Sequence, residues 1–150
     1  MKYKSIAQEA KRCRVAFKGA KVGDLVWFCH HEIPIEVLTE PPENRIKFIL
    51  FYKSEMEQAI RLHWFRPCKI DLPPELDAAR SKLTAAQSNL DAASSNLNTT
   101  STRGAAYSEW KSACIKLNAA RSEYADEISA LVKLHLPGCP WDGHTLFPEE

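Results

Sequence analysis

From residue 76 to residue 103 the chain reads LDAARSK (76–82), LTAAQSN (83–89), LDAASSN (90–96) and a decayed LNTTSTR (97–103). Leucines recur every seven residues at Leu76, Leu83, Leu90 and Leu97, and Ala79, Ala86 and Ala93 follow the first three by three. Apolar residues at two positions of a heptad form a stripe on one helix face, the seam of a coiled coil. Ser, Asn, Asp and Gln fill the outer face; they are middling helix formers, so this helix needs a partner to be stable. Pro73 and Pro74 suit its start, where an amide donor is unpaired in any case. The run Asn98–Thr102 followed by Gly104 reads as a turn.

A second periodic stretch follows. Tyr107, Trp110, Cys114, Leu117, Tyr124, Ile128 and Leu131 step by threes and fours with one missed step at Arg121, again a coiled-coil seam. A short loop between two such helices makes them antiparallel. The small alanines of the first helix are expected to receive Tyr107, Trp110 and Tyr124 of the second.

Working outward, residues 1–71 have strand character. Val22–Cys29, Ile33–Leu38 and Arg45–Tyr52 are rich in Val, Ile and aromatic residues and are expected as strands. Gly23-Asp24 and Glu40-Pro41-Pro42-Glu43-Asn44 signal turns between them, and Pro34 puts Ile33–Leu38 either at a sheet edge or in a loop. Ser54 followed three residues later by Glu57 has capping-box spacing and opens a short helix from Glu55 to about Leu62. The fold class expected is α+β: a small head over residues 1–71, an antiparallel helical hairpin over 72–135, and a tail over 136–150. Trp141, Leu146 and Phe147 give that tail apolar anchors for packing on the head.

Charge and cysteine usage narrow the function classes. The net charge is +1 over 150 residues, with 45% hydrophobic and 26% charged residues. That balance gives no global attraction to nucleic acid or membrane. Its distribution is uneven, because Lys2, Lys4, Lys11, Arg12, Arg14, Lys18 and Lys21 face only Glu9 in the first 21 residues. Five cysteines are an odd, widely spaced set without CxxC, which fits a reducing cytoplasm better than a disulfide framework. No apolar run of signal-peptide length follows the charged start, and the longest apolar stretches are of strand length, so a cytoplasmic protein without membrane insertion is expected.

Three clusters carry candidate chemistry. Cys29-His30-His31-Glu32 begins like HExxH, but Ile35 stands where the second histidine belongs and Pro34 breaks the required helix. It also begins like the HxE of zinc deaminases, but Asp71 occupies the last cysteine position of a PCxxC partner opened by Pro67-Cys68. Neither motif is complete. On a regular strand His30 and Glu32 share a face, so Glu32 is the expected partner orienting His30. Weak catalytic candidates are therefore His30, His31 and Glu32. The second cluster, His135, Cys139 and His144, offers three metal ligands that would need a fourth, such as Cys68 or Cys29. Zinc is thus the one cofactor under consideration, and none is otherwise expected. The third, Arg61, His63, Trp64 and Arg66, interleaves cations and aromatics as a base-stacking, phosphate-gripping strip does.

Val26–Ile49 (VWFCHHEIPIEVLTEPPENRIKFI), Arg61–Pro73 (RLHWFRPCKIDLP), the alanine-rich heptads and Leu134–Phe147 (LHLPGCPWDGHTLF) together resemble a group of uncharacterised bacterial and environmental proteins. The resemblance covers roughly residues 22–147 and implies the order head, helices, tail, with no activity attached. In that group the tail carries a cysteine pair before Trp-Asp-Gly, where this chain has Cys139 alone.

With no complete catalytic motif, the balance favours a non-enzymatic interaction protein whose head binds a partner and whose hairpin spaces or dimerises it. Nucleic-acid binding through the basic N-terminus and the Arg61–Arg66 strip is the first alternative. A small metal-dependent enzyme centred on His30, His31 and Glu32 is the second.

Overall fold

The stripe of leucines and alanines becomes helix α4, Pro74–Ser95, and it packs against helix α5, Thr100–Glu123. The computed structural model describes residues 2–95 and 100–147. Leu97 and the first residues of the expected turn lie outside them. From Thr100 onward the chain is already helical through Gly104, so the rest of that turn is the first stretch of α5. The tyrosine hydroxyl of Tyr124 donates to Glu75 at 2.8 Å, joining the end of the second helix to the beginning of the first. The pair is an antiparallel hairpin.

The seam differs in detail from its expected composition. Leu76, Leu83 and Ala86 are buried on α4, and Ala106, Ala113 and Leu117 on α5. Tyr107 instead lies half exposed beside Trp110, ring centroids 5.7 Å apart. Alanines are buried on both helices, with Tyr107 at the margin and Trp110 half-buried. Leu117 is buried as expected, but Ala106 and Ala113, seven apart, take the inward positions expected of Tyr107 and Cys114, and a periodicity judged on large residues alone missed them.

The second helix is also interrupted. Tyr124 separates α5 from helix α6, Ala125–His135. The chain divides into two compact units, one formed by Asp71–Ala125 and the other by Met1–Ile70 with Asp126–Glu150. Ile128 and Val132 of α6 are buried in the latter.

That larger unit opens with helix α1, Ile6–Ala16, started by a capping box between Ser5 and Gln8. Strands β1 (Leu25–His30), β2 (Ile33–Val37) and β3 (Arg66–Pro67) form one antiparallel sheet in the order β2-β1-β3. Pro34 therefore sits on an edge strand, where a missing amide donor interrupts no ladder. Helix α3, Glu55–Trp64, begins at Ser54, whose hydroxyl accepts from the Glu57 amide.

Arg45–Tyr52 is not a strand. Helix α2 covers Pro42–Tyr52, and the supposed turn Pro41-Pro42 is its entrance, proline fixing φ where a helix begins. Arg45, Ile46 and Ile49 are buried along one helical face. Ile46 and Ile49 join Ala10, Cys13, Phe17, Val26, Leu38, Leu62 and Phe65 in the core, so burial outweighs the β propensity of Ile, Phe and Tyr. Gln58 closes the helix by donating to the carbonyls of Leu50 and Lys53.

The tail lies on the β1–β2 end of the sheet. The Leu146 amide donates to the His31 carbonyl at 2.9 Å, Phe28 stacks near Trp141, and His31 near Phe147. No helix among the described residues is long and apolar enough to cross a membrane.

Candidate functional site

The end of β1 is where the sequence concentrates chemistry, and its backbone is irregular there. Pairing with β2 breaks between Trp27 and His30, and Phe28 adopts φ +47°. A bulge of this kind places one extra residue on a strand and re-aims the side chains that follow.

The partner of His30 is Glu36, not Glu32. The Glu36 carboxylate accepts from the His30 backbone amide at 2.6 Å and lies 2.7 Å from its Nδ1. Residues 31 and 32 form the turn between β1 and β2, so the alternation that put Glu32 on the face of His30 stops before it. Glu32 is exposed. His31 departs from the pair as well: its Nδ1 meets the Thr145 hydroxyl at 3.0 Å. Burial, followed by the charge of Arg61, lowers the pKa of His31.

Two guanidinium groups hold the same stretch from behind. Arg45 Nε donates to the Cys29 carbonyl at 2.8 Å and Arg61 Nη2 to the same oxygen at 3.4 Å. Arg61 is only 2% exposed and its Nε has no hydrogen-bond partner. Burial and then the neighbouring Arg45 charge lower its pKa. Burial pushes the Cys29 thiol up to about 12, with Glu36 adding to the effect. A thiol held neutral in this way is no activated nucleophile. The imidazole of His30, oriented by a carboxylate and largely open to solvent, is the group here suited to ligation or proton transfer.

In the Arg61–Arg66 strip Arg61 and Trp64 are buried, while His63 and Arg66 are half-buried. Trp64 is 1% exposed, and its indole donates to the Tyr3 hydroxyl at 3.3 Å. His63 Nδ1 lies 2.8 Å from the carboxylate of the fully buried Glu9, which also accepts from Arg12 Nε at 2.8 Å. Arg66 Nη2 meets His63 Nε2 at 3.0 Å and its guanidinium lies over the Trp64 ring. Arg12 further donates to the carbonyls of Leu62 and His63. These side chains fasten α1 to α3. Arg61 and Trp64 offer no surface on which a base could stack.

In the tail, His135 packs near Trp27 and His144 is exposed. The tight turn of Cys139-Pro-Trp-Asp-Gly is closed by Asp142, whose carboxylate accepts from the His144 and Thr145 amides at 2.7 and 2.8 Å. Burial raises the Cys139 thiol to about 11. Among the described residues, the His, Cys and acid ligand atoms that converge are those of Cys29, His30 and Glu36, not those of His135, Cys139 and His144.

One surface escaped the sequence reading, and another belongs to the basic N-terminus that it named. Phe51 (77% exposed), Tyr52 (76%) and Met56 stand exposed at the end of α2 and the start of α3, and the partly exposed Phe48 ring lies 5.2 Å from that of Tyr52. Once Arg45–Tyr52 is a helix, these are simply the residues its buried face leaves outside. A groove of about 510 Å³ runs beside α1, lined by Lys4, Gln8, Lys11, Arg12, Val15 and Ala16. Comparison with protein-family models, curated proteins and solved structures finds no match to this chain.

Proposed function

We propose that this is a non-enzymatic interaction protein whose larger unit receives a protein partner on the Phe51–Tyr52–Met56 surface, while the α4–α5 hairpin spaces or pairs the complex. The observation that carries this reading is the exposure of three large apolar side chains from adjoining helices. Grouped apolar exposure of that kind marks an interaction surface, and aromatic residues are enriched at the centres of such surfaces. The buried thiol of Cys29 and the inward-facing Arg61 weigh against the enzyme alternative.

The test puts a photo-crosslinking amino acid at Tyr52 of the full chain in cells expressing it. A defined protein adduct is expected, and it should disappear when Phe51 and Met56 are both changed to serine. Light scattering across a concentration series then separates an adduct to a second copy from one to another protein. Absence of any protein adduct at position 52, with a monomer mass at every concentration, defeats the proposal.

A second reading is favoured by the α1 groove. Glu9, the lone acid of the first 21 residues, is buried and engaged with Arg12 and His63, leaving Lys4, Lys11 and Lys18 exposed without acidic relief on that helix. Such a face suits phosphate or acidic ligands, nucleic acid included. Anisotropy with labelled DNA and RNA at low salt tests it: binding that falls steeply with salt supports it, and no binding removes it.

A further inference from the structure

Phe28 occupies a positive-φ conformation unfavourable for a non-glycine residue, and its consequence lies in the next two residues. On a regular strand Cys29 and His30 would face opposite sides of the sheet. Past the irregularity between Trp27 and His30, Cys29 Sγ, a His30 ring nitrogen and a Glu36 carboxylate oxygen all lie within 4.8 Å of one another. Cys29 also packs against the core, but the proposed interaction surface makes no use of this convergence.

We propose that Cys29, His30 and Glu36 form a three-ligand site for a thiophilic divalent cation of the zinc class, with a fourth coordination position open to solvent. Thiolate, imidazole and carboxylate are the donors zinc takes, and three protein ligands with one open position is the arrangement of its reactive sites. One thiolate and one carboxylate also neutralise a doubly charged ion. The ligands differ in setting as such a site requires: Cys29 forms a buried wall, Glu36 is 11% exposed and His30 54% exposed, so the ion enters past the imidazole. The His30 amide already fixes one oxygen of Glu36. Arg45 and Arg61 anchor the Cys29 carbonyl, and their positive charges favour the thiolate once it forms. On binding, the Cys29 S–H bond breaks and its proton leaves to solvent, while the His30–Glu36 hydrogen bond opens so that both groups turn to the ion.

The experiment titrates the reduced, metal-free full chain with cobalt(II), the spectroscopic stand-in for zinc. The expected result is one equivalent bound, a thiolate-to-cobalt charge-transfer band in the near ultraviolet, displacement by zinc, and one proton released per metal. Cys29→Ser should abolish the band. His30→Ala, at a half-exposed side chain, should keep the parent's circular dichroism spectrum and weaken binding by at least about tenfold. Cys139→Ser should bind as the parent does. If Cys29→Ser does not fold, His30→Ala decides alone. No charge-transfer band in the parent, undiminished binding in His30→Ala, or a band lost in Cys139→Ser overturns the site.

Discussion

The hairpin and the α1–α3 layer of the larger unit are both helical, yet different forces hold them. In the hairpin a stripe of Leu and Ala is buried along two helices; Tyr124 to Glu75 ties its ends, while other side-chain hydrogen bonds of α4, such as Arg80 to Asp77 and Gln87 to Asp91, are local. Between α1 and α3 the contact is a buried polar network, Glu9 with Arg12 and His63, and His63 with Arg66, set beside Cys13, Phe17, Leu62 and Phe65. A periodic apolar seam tolerates substitution in proportion to the volume lost. A satisfied polar network does not, because removing one member leaves the others desolvated and unpaired.

The largest effect should come from Trp64→Ala, which empties a site 1% exposed; a loss of about 3–5 kcal/mol in urea unfolding is expected. Glu9→Ala follows at about 3 kcal/mol, since it strands Arg12 and His63 against a buried surface. Glu9 adds a pH signature. Burial raises its pKa, but the hydrogen bonds from Arg12 and His63 outweigh burial and hold it below the ordinary 4.5. The unfolded chain then binds the proton more readily, so the contribution of Glu9 is complete above pH 4.5 and is lost as pH falls through the lowered value. The stability gap between the parent and Glu9→Ala should therefore narrow on acidification below that point. A gap that stays constant down to pH 3 would mean the network is not what joins α1 to α3.

Within the hairpin, Leu83→Ala should cost about 2–3 kcal/mol and Leu90→Ala roughly 1 kcal/mol, because Leu83 is buried while Leu90 is only half-buried. Equal losses at the two positions would show that the seam continues past the described packing. The smallest effect has the opposite sign. Gly104 lies within α5, and a methyl group there would meet nothing within 4 Å. Gly104→Ala should thus raise stability by up to about 1 kcal/mol, read as a higher thermal midpoint.

The candidate site was only half legible. Cys29 and His30 stood out because their types carry ligand chemistry, but Glu36 did not, since regular alternation assigned His30 to Glu32. The bulge at Phe28 has no local signature, for phenylalanine is a poor choice at positive φ and is held there by the packing around it. The burial of Arg61 and Trp64 was illegible for the converse reason: cations beside aromatics look alike in sequence whether they cover a surface or close a core.

What the sequence determined by itself is whatever repeats or caps locally: the seven-residue period that makes α4 a partner-seeking helix, and the Ser54 start of α3. Each depends on contacts within a few residues, so adjacent letters suffice. Only the tertiary structure decided that Pro42–Tyr52 is a helix, that alanines line both sides of the hairpin seam, and that Glu36 reaches His30. Those outcomes depend on apolar area and polar satisfaction shared between segments distant in the chain, and no short stretch of sequence contains both sides of such a contact.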